Sequence, residues 1–111
     1  MNKPTYIIDE YGDKIWRNSK GERHRTDGPA VEFANGDKIW YINGKCHRID
    51  GPAIEFANGD KAWYFNGKRH RTDGPAVEYA SGDKEYWYKG ERIIEEVFYS
   101  DEFQVRMVME S

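Results

Sequence analysis

The stretch Gly36–Asn58, GDKIWYINGKCHRIDGPAIEFAN, returns almost letter for letter as Gly59–Ser81, GDKAWYFNGKRHRTDGPAVEYAS. Gly12–Asn35 is the same unit with one extra residue before its second glycine, and a fourth copy begins at Gly82 and departs from the pattern at Ile93. His24, His47 and His70 stand 23 residues apart, as do Pro29, Pro52 and Pro75. A fixed period this short constrains the fold more than any other feature. Each unit is too small to bury a core by itself and must stack on its neighbours.

Two runs in each unit have strand chemistry: Pro-Ala-Val/Ile-Glu-Phe/Tyr, as in Pro52–Phe56, and Lys-x-Trp-Tyr-x, as in Lys61–Phe65. Both are rich in aromatic and β-branched residues and bounded by turn residues. Asn35-Gly36, Asn58-Gly59, Asn43-Gly44 and Asn66-Gly67 are hairpin signals, and the proline after each Asp-Gly suits the first residue of a strand. The expected architecture is mainly β: a single-layer antiparallel meander of tandem β-hairpin repeats, closed by a short C-terminal helix. A 111-residue chain of this kind is one domain. Its parts are an N-terminal half-repeat (1–11), repeats 12–35, 36–58 and 59–81, a partial repeat 82–98 and a helical cap 99–111. Pro4–Ile8 echoes the proline-led strands and should pair with Lys14–Arg17. Ser100, with Asp101 and Glu102 behind it, supplies a helix N-cap, and Phe103 and Met107 share one helical face. An extra strand is expected within Ile93–Tyr99.

Alternation divides the side chains between two faces. One should carry Val31, Phe33, Ile54, Phe56, Val77 and Tyr79 together with Trp40, Ile42, Trp63 and Phe65. The other should carry Ala30, Glu32, Ala53, Glu55, Ala76 and Glu78 with Ile39, Tyr41 and Tyr64. A slip of one residue in the hairpin register exchanges the faces of a strand.

Charge excludes some functions. The net charge is −3, and all of it falls in residues 92–111, so the repeats are balanced. A generic phosphate-backbone binder needs a net basic face. Cys46, the one cysteine, excludes an intramolecular disulfide and a cysteine-based zinc site. The start, MNKPTYIIDEYGD, lacks an apolar run of signal-peptide length, and no stretch has the length of a membrane span. The expected location is a reducing cytoplasm.

The spacing G-x-x-x-W-Y-x-x-G, carried by Gly36, Trp40, Tyr41 and Gly44 and by Gly59, Trp63, Tyr64 and Gly67, resembles MORN repeats. Gly82, Tyr86, Trp87 and Gly90 match it more loosely. The inserted His-Arg-x-Asp-Gly-Pro-Ala resembles a variant found in small proteins of bacteriophages, giant viruses and some bacteria. The resemblance covers roughly residues 4–98. It implies a hairpin sheet and protein docking or lipid contact, and it brings no catalytic residues.

The repeated His-Arg-x-Asp set is the most conspicuous polar constellation. It reads first as turn structure, in which Asp27, Asp50 and Asp73 accept from nearby amides and are braced by His or Arg. Equivalent histidines two strands apart lie about 10 Å from one another, too far to share a metal. Ser19, Ser81, Ser100 and Ser111 lie outside any Gly-x-Ser-x-Gly context. Glu32, Glu55 and Glu78 form a ladder of like environments, unsuited to paired acid–base work. No catalytic residue, metal or cofactor is expected. The binding candidates are Trp40, Tyr41, Trp63, Tyr64 and Trp87, with His24, Arg25, His47, Arg48, His70 and Arg71; Trp, Tyr and Arg are the types that dominate interface hot spots. The expected activity is non-enzymatic protein binding, most concretely as a small phage-type inhibitor of a bacterial host or defence protein. Two alternatives are a nucleotide or single-stranded nucleic-acid binder using the aromatic and His/Arg ridge, and a lipid-surface binder. The edge at Met1–Ile8 leaves homodimerisation open.

Overall fold

A computed structural model describes residues 6–111. Pro4 and Thr5, assigned by sequence to the first strand, lie outside the described residues. The strands are β1 (Tyr6–Ile8), β2 (Lys14–Trp16), β3 (Val31–Glu32), β4 (Lys38–Ile39), β5 (Tyr41–Ile42), β6 (Lys45–Cys46) and β7 (Ile54–Glu55). They continue with β8 (Lys61–Ala62), β9 (Tyr64–Phe65), β10 (Lys68–Arg69), β11 (Val77–Glu78), β12 (Lys84–Tyr88) and β13 (Glu91–Ile93). Helices α1 (Glu95–Phe98) and α2 (Asp101–Met109) close the chain.

Nine strands form one antiparallel sheet in the order β1-β2-β3-β4-β7-β8-β11-β12-β13. The hairpins β5-β6 and β9-β10 continue β4 and β8 beyond breaks at Trp40 and Trp63. They are stitched to their neighbours by backbone bonds: Gly44 N–H donates to Arg23 O (2.9 Å), Gly67 to Cys46 O (2.8 Å) and Gly90 to Arg69 O (2.9 Å). The expected meander is present. β1 pairs with β2 as anticipated, Tyr6 opposite Trp16 and Ile8 opposite Lys14.

The two Asn-Gly turns of each unit are built differently. At Asn43-Gly44 both residues are left-handed (φ 49° and 82°), the two-residue turn that matches strand twist. At Asn35-Gly36 only Gly36 is (φ 100°). Phe33 N–H bonds to Asp37 O (2.9 Å), so three residues, not two, close the hairpin.

That extra residue corrects the predicted faces. Val31 lies opposite Ile39 and Ile15, Ile54 opposite Ile39 and Ala62, and Val77 opposite Ala62. Partners across an antiparallel ladder share a face. Ile39 therefore belongs with Val31, and Tyr41 and Tyr64, two residues beyond β4 and β8 positions on that side, follow it by alternation. Trp40 and Trp63 move to the face of Glu55, Glu78 and the alanines. A two-residue turn would have set Val31 against Trp40; the three-residue loop shifts the register by one and exchanges the faces.

The aliphatic row Ile15, Val31, Ala62 and Val77 is buried on one face of the sheet. Ala30, Ala53 and Ala76 are fully buried on the other face. The remaining core is at the C-terminus, where Tyr86, Tyr88, Phe98, Phe103 and Met107 cluster with Ile93. Ser100 caps α2 as predicted, its Oγ accepting from Phe103 N–H (3.2 Å). The strand expected within Ile93–Tyr99 is instead the end of β13 followed by α1. The turn lets Phe98, rather than an extended residue, reach Tyr86 (ring centroids 4.8 Å apart). Among the described residues no helix is long and apolar enough to cross a membrane.

Candidate functional site: a ridge of tryptophan, arginine and histidine

Each repeat builds the same bracket. The guanidinium of Arg25 lies 3.9 Å from the ring centroid of Trp16, that of Arg48 3.9 Å from Trp40, and that of Arg71 3.9 Å from Trp63. In Arg48, Nε donates to Asp50 (3.1 Å), and Nη1 donates to Pro52 O (3.0 Å) and Glu55 (3.0 Å). Arg25 and Arg71 repeat all three bonds. A planar, five-donor head can satisfy a stack and two carboxylates together; an ammonium could not. The glycine of Asp-Gly-Pro serves this packing, because a Cβ at Gly28, Gly51 or Gly74 would lie 2.9, 3.0 or 3.1 Å from the guanidinium carbon. Its backbone is not left-handed, so the turn itself does not require it. The Arg25 hydrogen bond holds the Asp27 carboxyl below its ordinary range.

The histidines do something else. His24 Nδ1 accepts from Asn43 N–H (3.0 Å), His47 Nδ1 from Asn66 N–H (2.9 Å) and His70 Nδ1 from Lys89 N–H (2.9 Å). They brace the turn of the next repeat, 19 residues on. Of the two braces expected for the aspartates, His or Arg, it is arginine that takes the role, and histidine does not. A ring nitrogen that accepts carries no proton, so the neutral imidazole keeps its proton on Nε2. Burial, reinforced by Lys89, pushes the His70 pKa down. Asp13, Asp37 and Asp60 make a second set of links between repeats, accepting from Ala34, Ala57 and Ala80 N–H (2.8, 2.7 and 2.7 Å).

Two equivalent grooves open between successive Arg-x-Asp-Gly loops. One, of about 820 Å³, is lined by Trp40, Ile42 and His47 with Arg25–Gly28 on one wall and Arg48–Asp50 on the other. The next, of about 700 Å³, is lined by Trp63, Phe65 and His70 between Arg48–Pro52 and Arg71–Asp73. His47 and His70 flank Phe65, with ring centroids 4.6 and 5.9 Å away.

The candidates therefore separate. Trp40, Trp63, Arg25, Arg48, Arg71, His47 and His70 line the grooves. His24 serves the turn at Asn43. Tyr41, Tyr64 and Trp87 are half-buried. Their carbonyls accept from Arg25, Arg48 and Arg71 N–H (3.2, 3.2 and 3.1 Å). Arg69 donates to the Tyr64 hydroxyl (3.0 Å) and sits 4.9 Å from the Trp87 ring, whose Nε1–H donates to Glu85 (2.9 Å). Tyr64 also reaches the second groove. Cys46 takes the position of Arg69 in this row, and burial pushes its thiol up to about 12.

Sequence reasoning missed Ile49. It is 84% exposed, the most exposed large apolar residue of the described chain, and it forms the wall shared by both grooves. The signal was present: its equivalents are Thr26 and Thr72. Among the described residues no group of histidine, cysteine, aspartate and glutamate could hold a metal.

The fold and ridge define the class: an antiparallel hairpin-repeat protein whose repeated polar residues cross-link its own units. Comparison with protein-family models, curated proteins and solved structures found no match.

Proposed function

We propose that this chain is a non-enzymatic, protein-binding repeat module that presents the groove face to its partner. The observation that supports it most is Ile49, an apolar residue held in solvent at a loop tip between two aromatic-floored grooves. At 84% exposure this side chain contributes almost no burial to the fold, so its apolar surface becomes favourable only when a partner covers it. The same structural bonds in each repeat engage arginine Nε and Nη1, one oxygen of each aspartate and histidine Nδ1. In its most concrete form the module is a stoichiometric inhibitor of a bacterial host or defence protein, acting in the cytoplasm. The experiment is affinity capture from bacterial lysate. The reading requires one stoichiometric partner, with neither a salt-steep gel shift on oligonucleotides nor co-sedimentation with anionic vesicles. Turnover of a substrate that His47→Ala abolishes would overturn it.

A further inference from the structure

The two grooves lie on equivalent points of adjacent repeats, and β4 and β8, which lead into Trp40 and Trp63, are separated by β7 alone. Two strand spacings make the groove period about 9.6 Å. A polyproline II helix rises about 3.1 Å per residue with three residues per turn, so every third residue recurs after about 9.3 Å. A β-strand places same-side residues about 6.6 Å apart, which fits one groove and misses the next.

We propose that the grooves astride Ile49 bind an extended, proline-rich basic segment of a partner protein in the polyproline II conformation, one turn per repeat. This rests on the protein-binding reading above and names its ligand. Each groove offers three elements in the same arrangement. The first is an apolar, aromatic floor, Trp40 or Trp63, of the kind on which proline rings pack. The second is a donor: with Nδ1 of His47 and His70 committed to accepting from the next turn, Nε2–H is the proton-bearing atom. Polyproline II carbonyls have no internal partner and can accept it. The third is negative charge on the rim. The arginines sit over tryptophan with their side chains only 19–22% exposed, whereas the side chains of Asp27, Asp50 and Asp73 are 66%, 85% and 81% exposed. The charge a ligand meets at the loop tips is carboxylate, which selects lysine or arginine.

The test is an NMR titration of the full chain with the peptide (Pro-Pro-Lys)4, against (Gly-Ser-Lys)4 of equal charge and (Pro-Pro-Glu)4 of opposite charge. The proposal requires saturable shifts at the Trp40 and Trp63 indoles and at Ile49. It also requires at least tenfold weaker binding of both control peptides, and at least a tenfold loss for the uncharged Ile49→Ser, an exposed site whose replacement leaves the spectrum otherwise folded. Equal binding of (Gly-Ser-Lys)4, shifts elsewhere only, preferential binding of oligo(dT) at the same residues, or indifference to Ile49→Ser would each overturn it. A captured partner that contacts Ile49 while (Pro-Pro-Lys)4 leaves the grooves unshifted would refute this ligand and leave the protein-binding reading standing.

Discussion

Arg48 sits over Trp40, its guanidinium carbon 3.9 Å from the ring centroid, while its nitrogens reach Asp50, Pro52 and Glu55. One side chain thus ties a loop, a strand start and the sheet face of its repeat. Lysine keeps the charge but loses the plane and the fork. Arg48→Lys should cost about 1–2 kcal/mol, the size of a partly desolvated cation–π contact plus a hydrogen bond. Urea unfolding checks this. A double-mutant cycle with Trp40→Leu should show coupling between the two positions, and strict additivity would mean that the stack contributes nothing.

Lys89 holds a left-handed backbone (φ 51°) where the sister turns have Asn43 and Asn66. For an unsuited L-residue that conformation costs about 1–2 kcal/mol, and asparagine relieves part of it. Lys89 also meets Glu110 at 3.4 Å, but with its side chain 55% exposed the pair is a surface one, screened by solvent and weak. Backbone relief should win. Lys89→Asn should raise stability by about 0.5 kcal/mol, read as a higher urea midpoint with unchanged slope.

His70 makes the stack sensitive to acid. Its pKa is depressed below the ordinary 6.5 by burial and by Lys89. Between the folded and unfolded pKa values the unfolded chain therefore binds more protons, and stability rises with pH there. The contribution of His70 is therefore full above pH 6.5 and is lost as pH drops below it. Protonation also removes the acceptor that Nδ1 offers Lys89 N–H, beside Phe65 and Tyr88. His70→Asn, whose amide oxygen can replace Nδ1, should flatten the melting temperature between pH 7 and pH 5. The carboxylates act lower: hydrogen bonds from Tyr88 and Arg106 bring Glu110 down to about 2.

Much of this architecture was legible because its signals are local. The period, the left-handed Asn43-Gly44 turn, the Ser100 cap and the Phe103–Met107 face each depend on residues close in sequence. The face of Trp40 was not, because it turns on whether two or three residues close the loop at Asn35-Gly36, and the same dipeptide serves both. The histidine role was also hidden. His47 reaches Asn66 across 19 residues, and nothing within its own repeat identifies that partner. The grooves themselves arise between units, so no single repeat contains one. Ile49 could have been noticed as the exception to Thr26 and Thr72, but only the exposed loop tip gives that exception its meaning.

The most direct measurement is quantitative affinity capture from bacterial lysate with three forms of the chain: wild type, Ile49→Asp and Val108→Asp. Ile49 stands on the groove face, whereas Val108 is 72% exposed on α2 of the C-terminal cap. One stoichiometric partner should be retained by wild type and Val108→Asp, and reduced at least tenfold by Ile49→Asp. Capture that survives Ile49→Asp and disappears with Val108→Asp would place binding on the cap and contradict the account.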